Sequence, residues 1–246
     1  MCTRAVSALG HYLEEEGIAT VAISLIRPQT ENTKPPRALW VPFELGRPFG
    51  PPSDAAFQRR VILAALRLVE RADGPVLIED FPDDDPRARP DPRWRPPPVP
   101  MAGPRLADRL ADEIDALQGA HARWMARRGR TTVGLSGLDM PEIGRYVSAW
   151  LSGTAPASPR EGYSAILALR FAVDDLKAYY LEAAACDGAP SSRQLGDWLW
   201  NDTAAGAAVI ALRALGLVSD DNRLKVVLGN FMVPAVRVAM MGLSVG

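Results

Sequence analysis

The residue best placed to do chemistry is a cysteine standing at the start of a helix. Cys2 precedes a run in which Val6, Leu9 and Leu13 recur at helical spacing. That spacing predicts a helix over 3–16, with Thr3 as its N-cap and Gly17 as its stop. A thiol in this position faces unpaired backbone N–H groups and the positive end of the helix dipole, both of which stabilise a thiolate. Arg4 adds a nearby cation, and the same geometry suits the carboxylate of a substrate. The competing reading is an incidental cysteine at a chain terminus, and a lone cysteine by itself favours that one.

A second candidate group lies in residues 44–52, Glu-Leu-Gly-Arg-Pro-Phe-Gly-Pro-Pro, a rigid, turn-rich loop between a short strand and a long helix. Loops in that position are where α/β sheets place ligand contacts. Arg47 can hold a carboxylate through both arms of its guanidinium, and it can equally pair with Glu44 to fix the loop. The remaining inventory is sparse. His11 and His121 fall on different helices, which speaks against a histidine-based metal centre and for ordinary surface or packing roles. Gly134-Leu135-Ser136-Gly137 lacks the G-x-S-x-G spacing of a nucleophile elbow, and no Walker loop or dinucleotide-binding fingerprint occurs. Asp202 lies on an apolar stripe between Leu199 and Val209. A buried functional acid is one reading of it, and a hydrogen-bonded structural aspartate is the favoured one.

The elements that must carry these residues alternate in the first part of the chain. Ile18–Ile26 is apolar, β-branched and bounded by Gly17 and Pro28, the pattern of a buried parallel strand. A helix followed at once by such a strand is half of a β-α-β unit, and the strand completing it is expected ahead of residue 1. Ala38–Val41, limited by Pro42, is a short strand candidate. A helix is expected over 53–72 with Phe57, Val61, Ala65 and Leu68 on one face, followed by a strand at Pro75–Ile78.

From Asp80 to Pro104 acids, arginines and prolines replace the apolar pattern, which predicts an extended connection. A linker is preferred there to a lid or a partner-embracing arm. Helices are expected beyond it over 104–128 and Pro141–Leu151, with a strand candidate at Thr131–Leu135. Ser158-Pro159-Arg160-Glu161 reads as a helix start whose buried stripe is Ile166, Leu169, Val173, Leu176 and Tyr180. Ser191 with Gln194 opens another helix running to Gly216.

Composition narrows the function classes. The formal net charge of -1 gives no general attraction for nucleic acid or an acidic membrane. The most apolar stretch, Phe231–Val245, is interrupted by Pro234 and Arg237 and is shorter than the roughly 20 residues of a span. Glu14, Glu15 and Glu16 stand where a signal peptide would have its apolar core. The two cysteines, Cys2 and Cys186, are far apart and in no metal-ligand spacing, which points to a reducing, cytoplasmic setting.

Cys2-Thr3-Arg4-Ala5, with its helix and the strand after Gly17, resembles a segment of the selenoprotein B subunits of the glycine, sarcosine, betaine and D-proline reductases. In that family a selenocysteine follows the first strand, two residues separate it from a cysteine, and Thr-Arg leads into a helix. Arg47-Pro48-Phe49-Gly50-Pro51-Pro52 is similar to the family's His-Pro-Leu-Gly-Asn-Pro loop, again just ahead of a long helix. The resemblance covers residues 2–80. It implies reductive cleavage of a carbon–nitrogen bond in a small amino-acid-like substrate by a thiol or selenol, with a dithiol as donor. It also implies a pyruvoyl group on a partner subunit, which activates the amine.

On this resemblance Cys2 is the catalytic candidate, and Thr3, Arg4, Glu44, Gly46, Arg47 and Gly50 are the substrate-binding ones. No metal site is expected. The chain departs from the family in three ways: the selenocysteine position falls ahead of Met1, Ala5 stands where a further cysteine is frequent, and Arg47 replaces the loop histidine. An in-frame UGA read as a stop would account for the first, as would a short relative that has lost the chemistry.

The expected fold is therefore α/β: an open, mostly parallel Rossmann- or flavodoxin-like sheet over 1–80, a linker or arm over 81–103, and a largely α-helical part over 104–246. The expected function is that of a reductase subunit. The alternative is a non-catalytic binding or assembly protein, acting with a partner subunit or as a homo-oligomer. It is suggested by the incomplete redox motif, by Tyr179, Tyr180, Trp198 and Trp200, and by the Pro-rich arm.

Overall fold

The computed structural model describes residues 2–71, 73–100 and 103–243, with the backbone alone at Cys2, Thr3 and Arg87. The chain forms two compact units, Met1–Arg89 and Pro90–Gly246. The boundary falls inside the Pro-rich segment.

The first unit runs α1 (Cys2–Glu15), β1 (Ala22–Ser24), α2 (Arg27–Thr33), β2 (Arg37–Trp40), α3 (Ala55–Val69) and β3 (Leu77–Asp80). Its three strands form an open sheet in the order β1-β2-β3, parallel throughout, with Ala22 opposite Ala38 and Leu39 opposite Glu79. Parallel neighbours need a crossover between them; α2 and α3 supply it. The face of β2 carrying Leu39 and Val41 packs on Phe57, Val61, Ala65 and Leu68 of α3, the stripe the sequence predicts. Asp54 starts α3 by accepting a hydrogen bond from the Phe57 N–H at 3.0 Å. The rings of Phe43, Phe57 and Phe81 close the core, with centroids 5.5–6.0 Å apart.

Three expectations change in this unit: the stretch between Ile26 and Ala38, expected as a loop, contains the helix α2, and two more concern α1 and β1. α1 already includes Thr3, so Thr3 is not the residue preceding the helix. The strand expected over Ile18–Ile26 shrinks to Ala22–Ser24. The Glu14 carboxylate accepts from the Thr20 N–H at 2.6 Å and from the Thr20 hydroxyl at 3.0 Å, and also pairs with Arg37. That ties 18–21 back to the end of α1.

The second unit comprises α4 (Leu106–Arg128), α5 (Met140–Leu151), α6 (Ala165–Ala184), α7 (Ser192–Asp202), α8 (Ala204–Leu217), α9 (Asn222–Phe231) and α10 (Ala235–Met240). No helix among the described residues is long and apolar enough to cross a membrane. α6 is central: Leu169, Val173, Leu176 and Tyr180 are fully buried. Trp94, from the Pro-rich segment, belongs to the same core, and its indole N–H donates to the Ala184 carbonyl at 3.1 Å.

Three sequence expectations fail in this unit, one through a distant polar partner and two through local hydrogen bonds. Thr131–Leu135 is not a strand. The N–H groups of Gly134, Leu135 and Ser136 converge on the buried Asp175 carboxylate at 2.8–2.9 Å, and the Ser136 hydroxyl donates to it at 2.6 Å. Ser158 does not start α6. Its hydroxyl is engaged with Arg160, Gly162 adopts φ +79°, and Ser164 is the cap instead. The helix expected from Ser191 to Gly216 opens with the predicted capping box but breaks at Thr203. Thr203 caps α8, donating to the Leu199 carbonyl at 2.7 Å and accepting from the Gly206 N–H at 3.0 Å. The break leaves Asp202 exposed, so it is not a buried acid of either kind.

Candidate functional site

In a parallel sheet, loops leaving the carboxyl ends of the strands splay apart and leave a crevice. A cavity of about 340 Å³ occupies this position in the first unit. Its walls come from Val6 and Ser7 in the first turns of α1, from β1 and the Leu25–Ile26 segment after it, from Gln29 and Thr30 of α2, and from Leu45 and Gly46. Two segments distant in the chain, the helix opened by Cys2 and the loop at 44–50, thus border one space.

The predicted residues are distributed unevenly around it. Gly46 lines the cavity. It sits at φ +90° as the third residue of a turn closed by the Arg47 N–H donating to the Glu44 carbonyl at 3.0 Å, a conformation that favours glycine. Glu44 and Arg47 do not line it. They form an ion pair at 3.6 Å, each about two-fifths exposed. Of the two readings of that pair, loop-fixing is what the contact itself provides. A second turn follows, with Pro48 at its first corner and the Gly50 N–H donating to the Arg47 carbonyl at 2.9 Å. Gly50 is buried at φ +84°, and a Cβ there would lie 2.5 Å from Cε1 of Phe57. It lets the loop close on the aromatic core. Arg4 is exposed on α1. Cys2 is the first residue of α1, while the side chains of Cys2 and Thr3 lie outside the described residues.

The cavity also brings in residues the sequence reading passed over. Ser24 and Thr30 are buried and joined through their hydroxyls, and the Thr30 hydroxyl donates to the Ile26 carbonyl at 3.0 Å. The available signal was Ser24 itself, a hydroxyl inside an otherwise apolar, β-branched run.

Titratable groups displaced from their usual behaviour are occupied by the protein itself, among them Glu14 of the first unit, held low by its hydrogen bond from the Thr20 N–H, and several buried groups of the second unit. Burial raises the Glu113 carboxyl above its ordinary value; its oxygens accept from the Ala204 N–H at 2.8 and 2.9 Å and from the Tyr180 hydroxyl at 3.0 Å. Burial would raise Glu182 too. Hydrogen bonds from Thr131, from the backbone and hydroxyl of Thr132 and from His121, at 2.6–2.9 Å, outweigh burial and hold it below. Burial, assisted by the charge of Asp115, pushes Tyr179 up to about 12. These are satisfied structural groups. Cys186 is a buried free thiol beside Arg127 and Asp187. Among the described residues no group of three or more histidines, cysteines or acids is placed to hold a metal ion.

No protein-family model, curated protein or solved structure matches the chain.

Proposed function

We propose that the first unit is a small-molecule-handling module of the amino-acid reductase type, with Cys2 as its nucleophile. The observation that carries this reading is the cavity at the carboxyl edge of the sheet. It lies between the helix Cys2 begins and the loop that resembles the family's His-Pro-Leu-Gly-Asn-Pro one. A cysteine at the amino end of a helix is favoured as a thiolate, and Cys2 is the first residue of the fourteen-residue α1. In the overall reaction a dithiol gives two electrons and two protons. The substrate C–N bond is replaced by C–H and the nitrogen takes up the second proton where it needs one. It leaves as ammonia or an amine from glycine, sarcosine or betaine and stays on the opened chain of D-proline, and the dithiol becomes a disulfide. Activation of the amine would fall to a pyruvoyl group on a partner subunit and the strongest nucleophile to a selenocysteine ahead of residue 1. No residue of this chain is assigned to either. The sheet is read as part of a Rossmann- or flavodoxin-like arrangement, and the setting as the reducing cytoplasm, in keeping with the free thiol of Cys186.

A second reading is favoured by the loop contacts: Glu44 pairs with Arg47, Gly50 packs on Phe57, and both leave the loop structural. On that reading the cavity binds without turnover, in an assembly or binding protein. The two are separated by incubating the chain with dithiothreitol and glycine, sarcosine, betaine or D-proline. The chain is used as it stands, with Cys2→Ser, and with an N-terminal extension restoring the upstream selenol residue. Amine release, or opening of the D-proline ring to a primary amine, that depends on Cys2 supports the reductase reading; neither product from any form rejects it.

A further inference from the structure

The second unit has a cavity of its own, which neither reading of the first unit uses. A groove of about 490 Å³ runs between α6 and α9, within the size range of small-ligand sites. Its apolar wall is Ile166 and Leu167 of α6 with Val226 and Val227 of α9. Leu167 is 39% exposed and Val226 48%, so this apolar surface stays open to solvent.

The polar part of the wall has one sign of charge. Arg170 and Arg223 line the groove, and among the described residues no acid does. Arg170 is held in place: it pairs with Asp174 at 3.0 Å and donates to the Phe231 carbonyl. Asp174 also pairs with Lys177 at 2.9 Å, so two cations share one acid. Arg223 is exposed, and its guanidinium makes no ion pair with a described residue. Asp221, two residues before it, accepts from the Arg223 backbone N–H at 2.8 Å as the cap of α9. Two helix amino ends meet the same groove: Ser164 caps α6, Asn222 is the first residue of α9, and both line it. A first turn leaves N–H groups unpaired and carries the positive end of the helix dipole.

An apolar trough with a cationic rim discriminates among occupants. A neutral body leaves Arg223 unanswered, and an amine is repelled by it. An inorganic anion leaves the apolar wall wet. A molecule with an apolar body and one negative group answers both parts. Eight residues line the groove, well short of the roughly 20–30 a side in a stable protein–protein interface. That favours a small molecule over a protein partner.

We propose that the α6–α9 groove binds a small amphipathic carboxylate. Its hydrocarbon body lies along Leu167 and Val226, and its carboxylate is held by Arg223 at the amino ends of the two helices. The site belongs to the second unit and does not rest on the reductase reading, so either can fail without the other.

The test is calorimetric titration of the full chain with 4-phenylbutanoate, octanoate, 4-phenylbutanol, 4-phenylbutylamine and acetate. Amide NMR shifts at Leu167 and Val226 locate the site. The two amphipathic acids should bind saturably and shift both amides. 4-Phenylbutanoate should bind about fivefold or more tighter than the alcohol, and tighter still than the amine or acetate. Arg223→Gln should bring the acid down to the affinity of the alcohol and leave the alcohol unchanged, which also reports an intact groove. Val226→Trp fills the groove and should weaken acid and alcohol alike by about tenfold. Both substitutions fall at exposed positions. Saturable binding by neither acid, an alcohol or amine that binds as tightly as the acid, or an acid preference that survives Arg223→Gln overturns the proposal. Affinity untouched by Val226→Trp overturns it too. So does concentration-dependent dimerisation in sedimentation velocity that Val226→Trp abolishes, because a second copy of the chain would then occupy the groove.

Discussion

At the scale of single residues, the second unit holds buried carboxylates that each accept several hydrogen bonds. Glu182 accepts four of them, and replacing it by Gln puts an N–H₂ donor where two other donors point. Leaving such buried groups unsatisfied costs about 1–3 kcal/mol each, so Glu182→Gln is expected to lower unfolding free energy by about 2 kcal/mol or more, measured by urea denaturation. The pH dependence has a definite sign. The folded carboxyl titrates below its ordinary value of 4.5, so its stabilisation is full above that value and is lost as pH falls through the lower folded one. Glu113, raised by burial, acts in the opposite sense: its contribution is present at low pH and lost as pH rises. Glu182→Gln should therefore flatten the acid side of the stability profile, and unchanged acid sensitivity would contradict the assignment. None of this was legible from the sequence, because a glutamate in a helical run reads as a solvated face until its distant partners are known.

At the scale of elements, the places where local pattern misleads are those where a polar group captures backbone from elsewhere. Thr131–Leu135 reads as a strand candidate, yet the N–H groups of Gly134, Leu135 and Ser136 are claimed by Asp175. Asp175→Asn should destabilise by about 2–3 kcal/mol, since an amide cannot accept on both sides. Hydrogen exchange at Gly134–Ser136 should accelerate with it; protection retained there would refute the carboxylate as the organiser. The α7–α8 break has its own signature. A Cβ at Gly206 would stand 2.0 Å from the Leu199 carbonyl oxygen and 2.9 Å from Cα of Trp200. Backbone cannot swing aside as a flexible side chain can, so Gly206→Ala should cost about 3 kcal/mol, the upper part of the overpacking range. A melting temperature equal to that of the parent would show that the two helices do not cross so closely. The longer helices were legible, whereas α2, α9 and α10 were not expected. The α3 stripe and the Ser191–Gln194 capping box follow from spacing alone, because both are interactions within one or two turns.

At the scale of the whole molecule, the two units have separate cores, one around Leu39 and the phenylalanine trio, the other around α6. Residues 90–246 expressed alone should retain helical circular dichroism and a cooperative thermal transition. In the full chain, Leu39→Ala, which removes a side chain only 1% exposed, should lower the stability of the first unit by about 2–5 kcal/mol. Exchange protection in α6 should stay unchanged, and parallel loss in both units would show one cooperative core instead of two. What the sequence by itself determined is the set of helices with strong local periodicity, α1, α3, α4 and α6, along with the α/β alternation of the first part. The apolar stripes of those helices repeat at about 3.6 residues whatever lies across from them. Only the tertiary structure decided where the polar residues go. It placed Ser24 against Thr30 on the cavity wall, gave Glu44 to Arg47, set Gly50 on Phe57, and exposed Asp202. A hydrogen bond or a cavity wall is a relation between segments far apart in the chain, and one segment's pattern does not contain it. Cys2 is the instructive case: its place at the head of a helix was readable from local spacing, and the space that helix borders was not.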